Sequence, residues 1–176
     1  MKTRRFWVTS AAAGLAGAAG LAAWYWQDSG SSGAQALPEE FWALRFERPQ
    51  GGELALSELR GQPILVNFWA TWCPPCLREL PDLQRFHQSY RAKGWRVVGI
   101  AIDSPSAVRQ FLQRMPLDLD IGLGGLQGTE LTRSLGNPAG SLPFTVVINR
   151  AGQISQRKLG ATHFEEIVAW AAAPGH

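Results

Sequence analysis

Two cysteines, Cys73 and Cys76, are the sulfur nucleophiles of this 176-residue chain, which has no others. They stand three residues apart in Trp72-Cys73-Pro74-Pro75-Cys76. A bond between them closes so small a loop that it hardly restricts the unfolded chain, so a fold-stapling role explains the pair poorly. A bond that opens and closes explains it better. Thiol–disulfide exchange needs one sulfur as a thiolate to attack a foreign disulfide and a second sulfur to resolve the mixed disulfide. Cys73 falls where a helix N-cap would sit, and the unpaired N–H groups and positive partial charge there favour a thiolate. Cys76 follows one turn later on the same face and can resolve.

The elements around the pair must hold that geometry. Ile64-Leu65-Val66-Asn67-Phe68-Trp69 is an apolar, β-rich run, and a helical pattern starts at the cysteines. Pro74 and Pro75 suit the first helical turn, where a missing N–H breaks no bond. They also remove two donors that could have stabilised the Cys73 thiolate. A less stabilised thiolate predicts a pair biased toward reducing others.

Cys-x-x-Cys after a hydrophobic strand resembles thioredoxin. Residues 59–81, Leu-Arg-Gly-Gln-Pro-Ile-Leu-Val-Asn-Phe-Trp-Ala-Thr-Trp-Cys-Pro-Pro-Cys-Leu-Arg-Glu-Leu-Pro, resemble the TlpA/ResA/CcmG branch of membrane-tethered thiol–disulfide oxidoreductases, and the resemblance runs from about Phe41 to the C-terminal helix. It implies an α/β thioredoxin-like fold, a mixed central sheet flanked by helices, with an N-terminal β-hairpin. It also implies disulfide reduction outside the cytoplasm of a bacterium, often in cytochrome c maturation. Apocytochrome c is then the leading substrate, and a membrane protein of the DsbD or CcdA kind the electron donor. No cofactor is called for.

The same resemblance assigns further residues. Thioredoxins carry a buried aspartate where Asn67 stands here, so that proton acceptor is missing. Glu79 matches a glutamate that ResA-type proteins place near the active site, where it could relay the proton of Cys76. The other reading of Glu79 is a solvated acid favoured by the helix dipole. Pro143 matches the cis-proline that faces the cysteine pair, although cis bonds are a small minority of X–Pro bonds in general. Leu142 then offers its backbone to an extended substrate, in the manner of an added strand. Trp72 either forms a flat apolar contact beside the cysteines or simply packs.

The rest of the chain supplies the frame. Residues 1–5 form a positive n-region, and 6–26 run without a charge. At ~1.5 Å per residue such a helix crosses a ~30 Å hydrocarbon core. The reading is an uncleaved anchor with a cytoplasmic N-terminus, Trp24-Tyr25-Trp26 at the far interface, and the catalytic domain in the periplasm or otherwise extracytoplasmic. A cleaved signal peptide is the alternative, with Ala34-Gln35-Ala36 as an A-x-A site. Residues 27–36 read as a flexible linker, and 37–176 as the catalytic domain. Of the formal charge of +3, two units come from residues 1–36. Beyond them stand 14 basic and 13 acidic side chains, so the pI of 9.2 is no argument for nucleic acid binding.

Along the domain, 41–46 and 53–56 flank Pro49-Gln50-Gly51-Gly52 and predict a hairpin. Leu77, Leu80, Leu83, Phe86 and Tyr90 mark the buried stripe of a helix ending near Gly94, kinked at Pro81. Residues 95–102 predict a central strand, with Ser104 as cap and Pro105 opening a ten-residue helix. Residues 117–121 predict a strand, 122–128 a glycine-dense surface loop that is no P-loop, and 129–135 a short helix. Strands follow over 142–149 and 153–159. Thr162-His163-Phe164-Glu165 matches a capping box before the last helix, which runs to about Ala173.

Other chemistry is poorly supplied. Two cysteines and the scattered His87, His163 and His176 do not make a zinc site. These histidines read as a helix surface, a helix start and a terminus. Leu77 stands where haem attachment would need histidine. Two other functional classes stay open. One is a disulfide oxidase or isomerase of the same fold. The other is a Cu(I)-binding thiol carrier, since paired thiolates bind soft metals, although only Met1 and Met115 could supplement them. The chain is expected to act as a monomer on protein disulfides.

Overall fold

The computed structural model describes residues 36–175. The n-region, the apolar segment 6–26 and the linker as far as residue 35 lie outside the described residues, as does His176. Among the described residues no helix is long and apolar enough to cross a membrane.

A seven-stranded mixed sheet carries the domain. Its strands are β1 (Arg45–Glu47), β2 (Glu53–Ala55), β3 (Ile64–Trp69), β4 (Arg96–Ala101), β5 (Asp120–Leu123), β6 (Phe144–Ile148) and β7 (Ile154–Leu159). They lie in the order β2-β1-β5-β4-β3-β6-β7. β3, β4 and β5 run parallel, whereas β6 and β7 return antiparallel beside β3. Every residue of β3 is buried, as a central strand covered on both faces requires.

The helices are α1 (Glu39–Trp42), α2 (Pro74–Tyr90), α3 (Pro105–Arg114), α4 (Gly125–Ser134) and α5 (Phe164–Ala171). Side chains of α2, α3 and α5 pack with Leu65, Trp69, Val97 and Val147 on one face of the sheet. Those of α1 and α4 pack with Val66, Phe68, Val98 and Val146 on the other. The alternation along β3 thus splits its side chains between two cores. The architecture is the α/β thioredoxin-like sandwich that the resemblance implies.

Several local expectations hold. Cys73 is the N-cap of α2, and Leu80, Leu83 and Phe86 form its buried stripe. Ser104 caps α3 by accepting from the Ala107 N–H, and Pro105 opens the helix. After α2 a short 3-10 turn ends at Gly94, whose φ of 88° is a left-handed value that glycine adopts without strain.

Others are corrected. Phe41 and Trp42 belong to α1, and the hairpin begins only at Arg45. Both rings are buried and meet edge to face, a placement that the alternation of a strand would deny to consecutive residues. Glu39 and Glu40 in the first turn suit the helix dipole. Helix α2 extends past Pro81, which is exposed, to Tyr90.

The strand expected over 117–121 lies at Asp120–Leu123, and the glycine-dense stretch is no surface loop. Gly122 is in β5, and α4 starts at Gly125, four residues earlier than expected. These glycines serve close packing. A Cβ on Gly124 would sit 2.5 Å from Ile100 Cγ2, and one on Gly128 would sit 2.6 Å from Ile102 Cδ1. His87 is buried in the face of α2 rather than on its surface. Burial pushes its pKa down, against Asp118 and Asp120, which favour the charged form.

Gly99 shows how tightly side chains from neighbouring strands pack over the sheet. A Cβ there would lie 2.8 Å from Ile121 Cδ1 and 3.1 Å from Trp69 Nε1. Gly99→Ala should therefore cost about 2 kcal/mol of stability through overpacking. The urea midpoint checks this, and an unchanged midpoint would refute the packing argument.

Candidate active site

The site lies where β3 ends and α2 begins. Trp69 and Ala70 are fully buried, and Trp69 packs on Phe111 of α3. The chain then turns outward, and both the N–H and the hydroxyl of Thr71 donate to Asp103 Oδ2, at 3.0 and 2.5 Å. Asp103 ends the neighbouring strand segment, so the two parallel strands fix the loop that delivers Trp72 and Cys73. Trp72 is 65% exposed beside the cysteines, an apolar surface open to solvent.

Cys73 and Cys76 form a disulfide. Cys73 keeps 4% exposure and Cys76 none, so the first sulfur is the one a partner can reach. Cys73 Sγ accepts from the Cys76 N–H at 3.3 Å. Pro74 and Pro75 occupy the two preceding helical positions and carry no N–H, so Cys76 supplies the first backbone donor of the helix. The exposed Pro74 and half-buried Pro75 rigidify the turn between the sulfurs.

The Leu142–Pro143 peptide is cis, as expected. Phe68 pairs with Phe144 in the β3–β6 ladder, so Pro143 lies alongside the end of β3 from which the cysteine loop leaves. Pro143 is buried, and its carbonyl accepts from the Gly160 N–H at 2.9 Å. Half-buried Leu142 packs against the cluster that contains both cysteines.

Glu79 decides between its two readings. It is 1% exposed, so it is not a solvated first-turn acid. Oε1 accepts from Asn67 Nδ2 at 2.7 Å. Oε2 accepts from the Thr162 N–H at 2.7 Å and the Thr162 hydroxyl at 2.8 Å. Burial pushes its pKa up, while the bonds from Thr162 and Asn67 and the charge of Lys158 pull it back. Burial thus raises the proton affinity of a carboxyl that stands one helical turn beyond Cys76.

Sequence reasoning brought Cys73, Cys76, Glu79 and Pro143 together but missed Thr162 and Thr145. Thr162 was expected in a capping box. Instead His163 is the N-cap of α5 without a side-chain bond, and the Thr162 hydroxyl serves Glu79. The signal was present in the Thr-x-x-Glu pattern, but a buried acceptor 83 residues away outcompeted the local one. Thr145 Oγ1 accepts the second Asn67 Nδ2 bond at 3.0 Å. Exposed His163 stands 3.8 Å from Asp82 Oδ2, away from the sulfurs' chemistry. Among the described residues no cluster of histidine, cysteine and carboxylate side chains could hold a metal.

A disulfide at a helix N-cap, a cis-proline alongside and a buried carboxyl below define a thioredoxin-fold protein of the Cys-x-x-Cys class. The Redoxin family model matches residues 38–169, and the chain belongs to that family. Among curated proteins it is similar to thiol-disulfide oxidoreductase ResA of Bacillus cereus, 26% identical over 119 residues, or 67% of this chain and 66% of that protein. ResA of Halalkalibacterium halodurans is 30% identical over 110 residues, 60% of this chain and 58% of its own. The chain thus spans three-fifths to two-thirds of the length of these relatives. Among solved structures, StoA from Bacillus subtilis superposes with a TM-score of 0.61 at 23% identity, over 73% of this chain and 95% of that one. A thiol:disulfide interchange protein of Chlorobium tepidum superposes with a TM-score of 0.66 at 22% identity, over 72% and 89%. At these identities the two structures speak for the fold.

The raised pKa of Glu79 has a consequence for stability. Between its unfolded value of 4.5 and its higher folded value, the folded protein holds a proton that the unfolded chain has released. Stability therefore falls as pH rises through that window. Glu79→Gln removes this loss, and rotation of the Asn67 amide would let it accept from the new one. In the disulfide form, the urea midpoint of the variant should gain on the parent between about pH 4 and pH 8, by about 1.4 kcal/mol for each unit the carboxyl is raised. A difference constant with pH would show that Glu79 titrates normally.

Proposed function

We propose that this protein is an extracytoplasmic thiol–disulfide oxidoreductase that reduces disulfides in target proteins through its Cys-Pro-Pro-Cys pair. The observation that carries this reading is the dry resolving sulfur. Cys76 is fully buried one turn from the buried Glu79, while Cys73, the cap of the same helix, keeps 4% exposure.

The reaction passes two electrons to the substrate, and the two protons that its thiolates take up balance those lost when Cys73 and Cys76 ionise, the latter by way of Glu79. The reduced protein presents Cys73 as a thiolate, stabilised by the helix dipole and the Cys76 N–H. It attacks the foreign disulfide, and one substrate sulfur leaves as a thiolate that takes up a proton. Cys76 then gives its proton to Glu79 and attacks Cys73 Sγ. The second substrate sulfur leaves, and the Cys73–Cys76 bond forms. Trp72 and Leu142 flank the attacked sulfur, and Leu142 offers backbone groups to an extended segment.

Apocytochrome c suits such a site because its haem-binding segment holds two cysteines that oxidise together. In the full reading, residues 6–26 anchor a monomeric domain to the membrane, and a membrane donor of the DsbD or CcdA type restores the dithiol. The matches to proteins named thiol-disulfide oxidoreductase ResA support thiol–disulfide exchange. A second reading is isomerase or oxidase chemistry. It is favoured by a solved structure entitled secreted thiol-disulfide isomerase from Corynebacterium glutamicum, 25% identical with a TM-score of 0.65 over 73% of this chain and 81% of that one.

Two variants test the proposal. Cys73→Ala should abolish insulin reduction, and Cys76→Ser should accumulate a mixed disulfide that names the partner in cells. A Cys73→Ala protein that still reduces insulin would overturn the reading. A reduction potential near about −120 mV, that of a strong oxidant, would replace reductase by oxidase.

A further inference from the structure

The ladder registers place three polar side chains in one row across the sheet. Asn67 of β3 is opposite Thr145 of β6, and Thr145 is opposite Lys158 of β7. Directly paired residues share a face, so all three point toward α2 and α5. Asn67 bonds both Glu79 and Thr145. At the outer end Lys158 Nζ donates to the carboxylate of Glu166, on the first turns of α5. Thr162, which holds the other oxygen of Glu79, lies just before that helix.

We propose that Lys158, held in place by Glu166, is a positioning residue for disulfide exchange that governs how readily Glu79 takes the Cys76 proton. This rests on Glu79 being the acceptor and goes beyond it by naming what sets its charge.

The physical argument is one of distance and screening. The groups that touch Glu79, namely Asn67 and Thr162, are neutral. Cys76 on α2 is neutral as a thiol or in the disulfide. Between α2 and α5 the other ionisable groups are Arg85, exposed over the Phe164 ring, and His163 with Asp82, 72% and 34% exposed; water screens Arg85 and His163, and Asp82 is no cation. Lys158 is 27% exposed and Glu166 34%. A cation at the edge of a dry core acts through protein rather than water, and its field favours the Glu79 carboxylate. Glu166 fixes the Lys158 ammonium at the row instead of leaving the long side chain to swing into solvent. A lysine here therefore offsets part of the burial penalty without touching either sulfur.

The step it controls can be isolated. The reduced full-length protein is mixed with dithiobis(nitrobenzoate). Cys73 releases one coloured thiolate on forming the mixed disulfide, and Cys76 releases the second on closing the Cys73–Cys76 bond. The second phase should slow toward acid pH as Glu79 becomes protonated. Lys158→Met should move that acid limb upward by about half a pH unit or more, because loss of the cation disfavours the carboxylate. Lys158→Arg should restore it, and Lys158→Gln serves if Met loosens the sheet edge. A limb unmoved in folded Lys158→Met and Lys158→Gln overturns the proposal. Glu79→Gln separates this from the underlying reading. It should abolish the limb and slow the second phase by about 100-fold. A limb that persists in Glu79→Gln would remove Glu79 as the acceptor, and the role of Lys158 with it.

Discussion

A carboxyl group without water ties the domain together. Glu79 comes from the helix that carries the cysteines, and its two oxygens are claimed by a central strand and by the turn into the last helix. Burying a carboxyl is costly unless its lone pairs are met, and three donors meet them. The same bonds fix the height of α2 above the sheet and the approach of α5 to α2. Cys76, one turn back from Glu79, inherits that placement. The proposed proton acceptor and the scaffold thus rest on the same bonds.

The second constraint is the short supply of donors at the start of α2. Two prolines lead the helix, and only from Cys76 onward does the backbone offer N–H groups to the Cys73 sulfur. The dipole remains, but a part of the direct hydrogen bonding is gone. This shortage of donors is what the proposed reduction of partner disulfides draws on. Asp103 answers a separate need. By holding Thr71 it keeps the loop between strand and helix in place, so that the exposed Trp72 and the first sulfur are presented together.

The misplacements along the chain share a cause. Glycines at 124 and 128 look like loop residues because composition cannot tell freedom of the backbone from closeness of a neighbour. Here the neighbours are Ile100 and Ile102, which leave no space for a Cβ. Phe41 and Trp42 look like strand residues because aromatic side chains favour sheets, yet their burial together needs a helical turn. Thr162 reads as a cap because the local pattern allows it. His87 reads as surface because a polar residue on a helix usually is, while the neighbouring strands bury it. For the two glycines and for Thr162 a contact distant in sequence overrode a local preference.

What the linear order of residues settled by itself was chemistry that depends on short spacing. The reactive pair, the helix that starts at it, the proline-led first turn and the alternation of strands and helices all arise within a few residues of one another. The cis state of Pro143 came from likeness to a family rather than from any local rule. Tertiary structure alone decided which oxygen, amide and hydroxyl meet. The environment of Glu79 is assembled from positions 67, 145, 158 and 162, brought together by strand register and helix docking. Burial and field are properties of that assembly, and no stretch of sequence contains them.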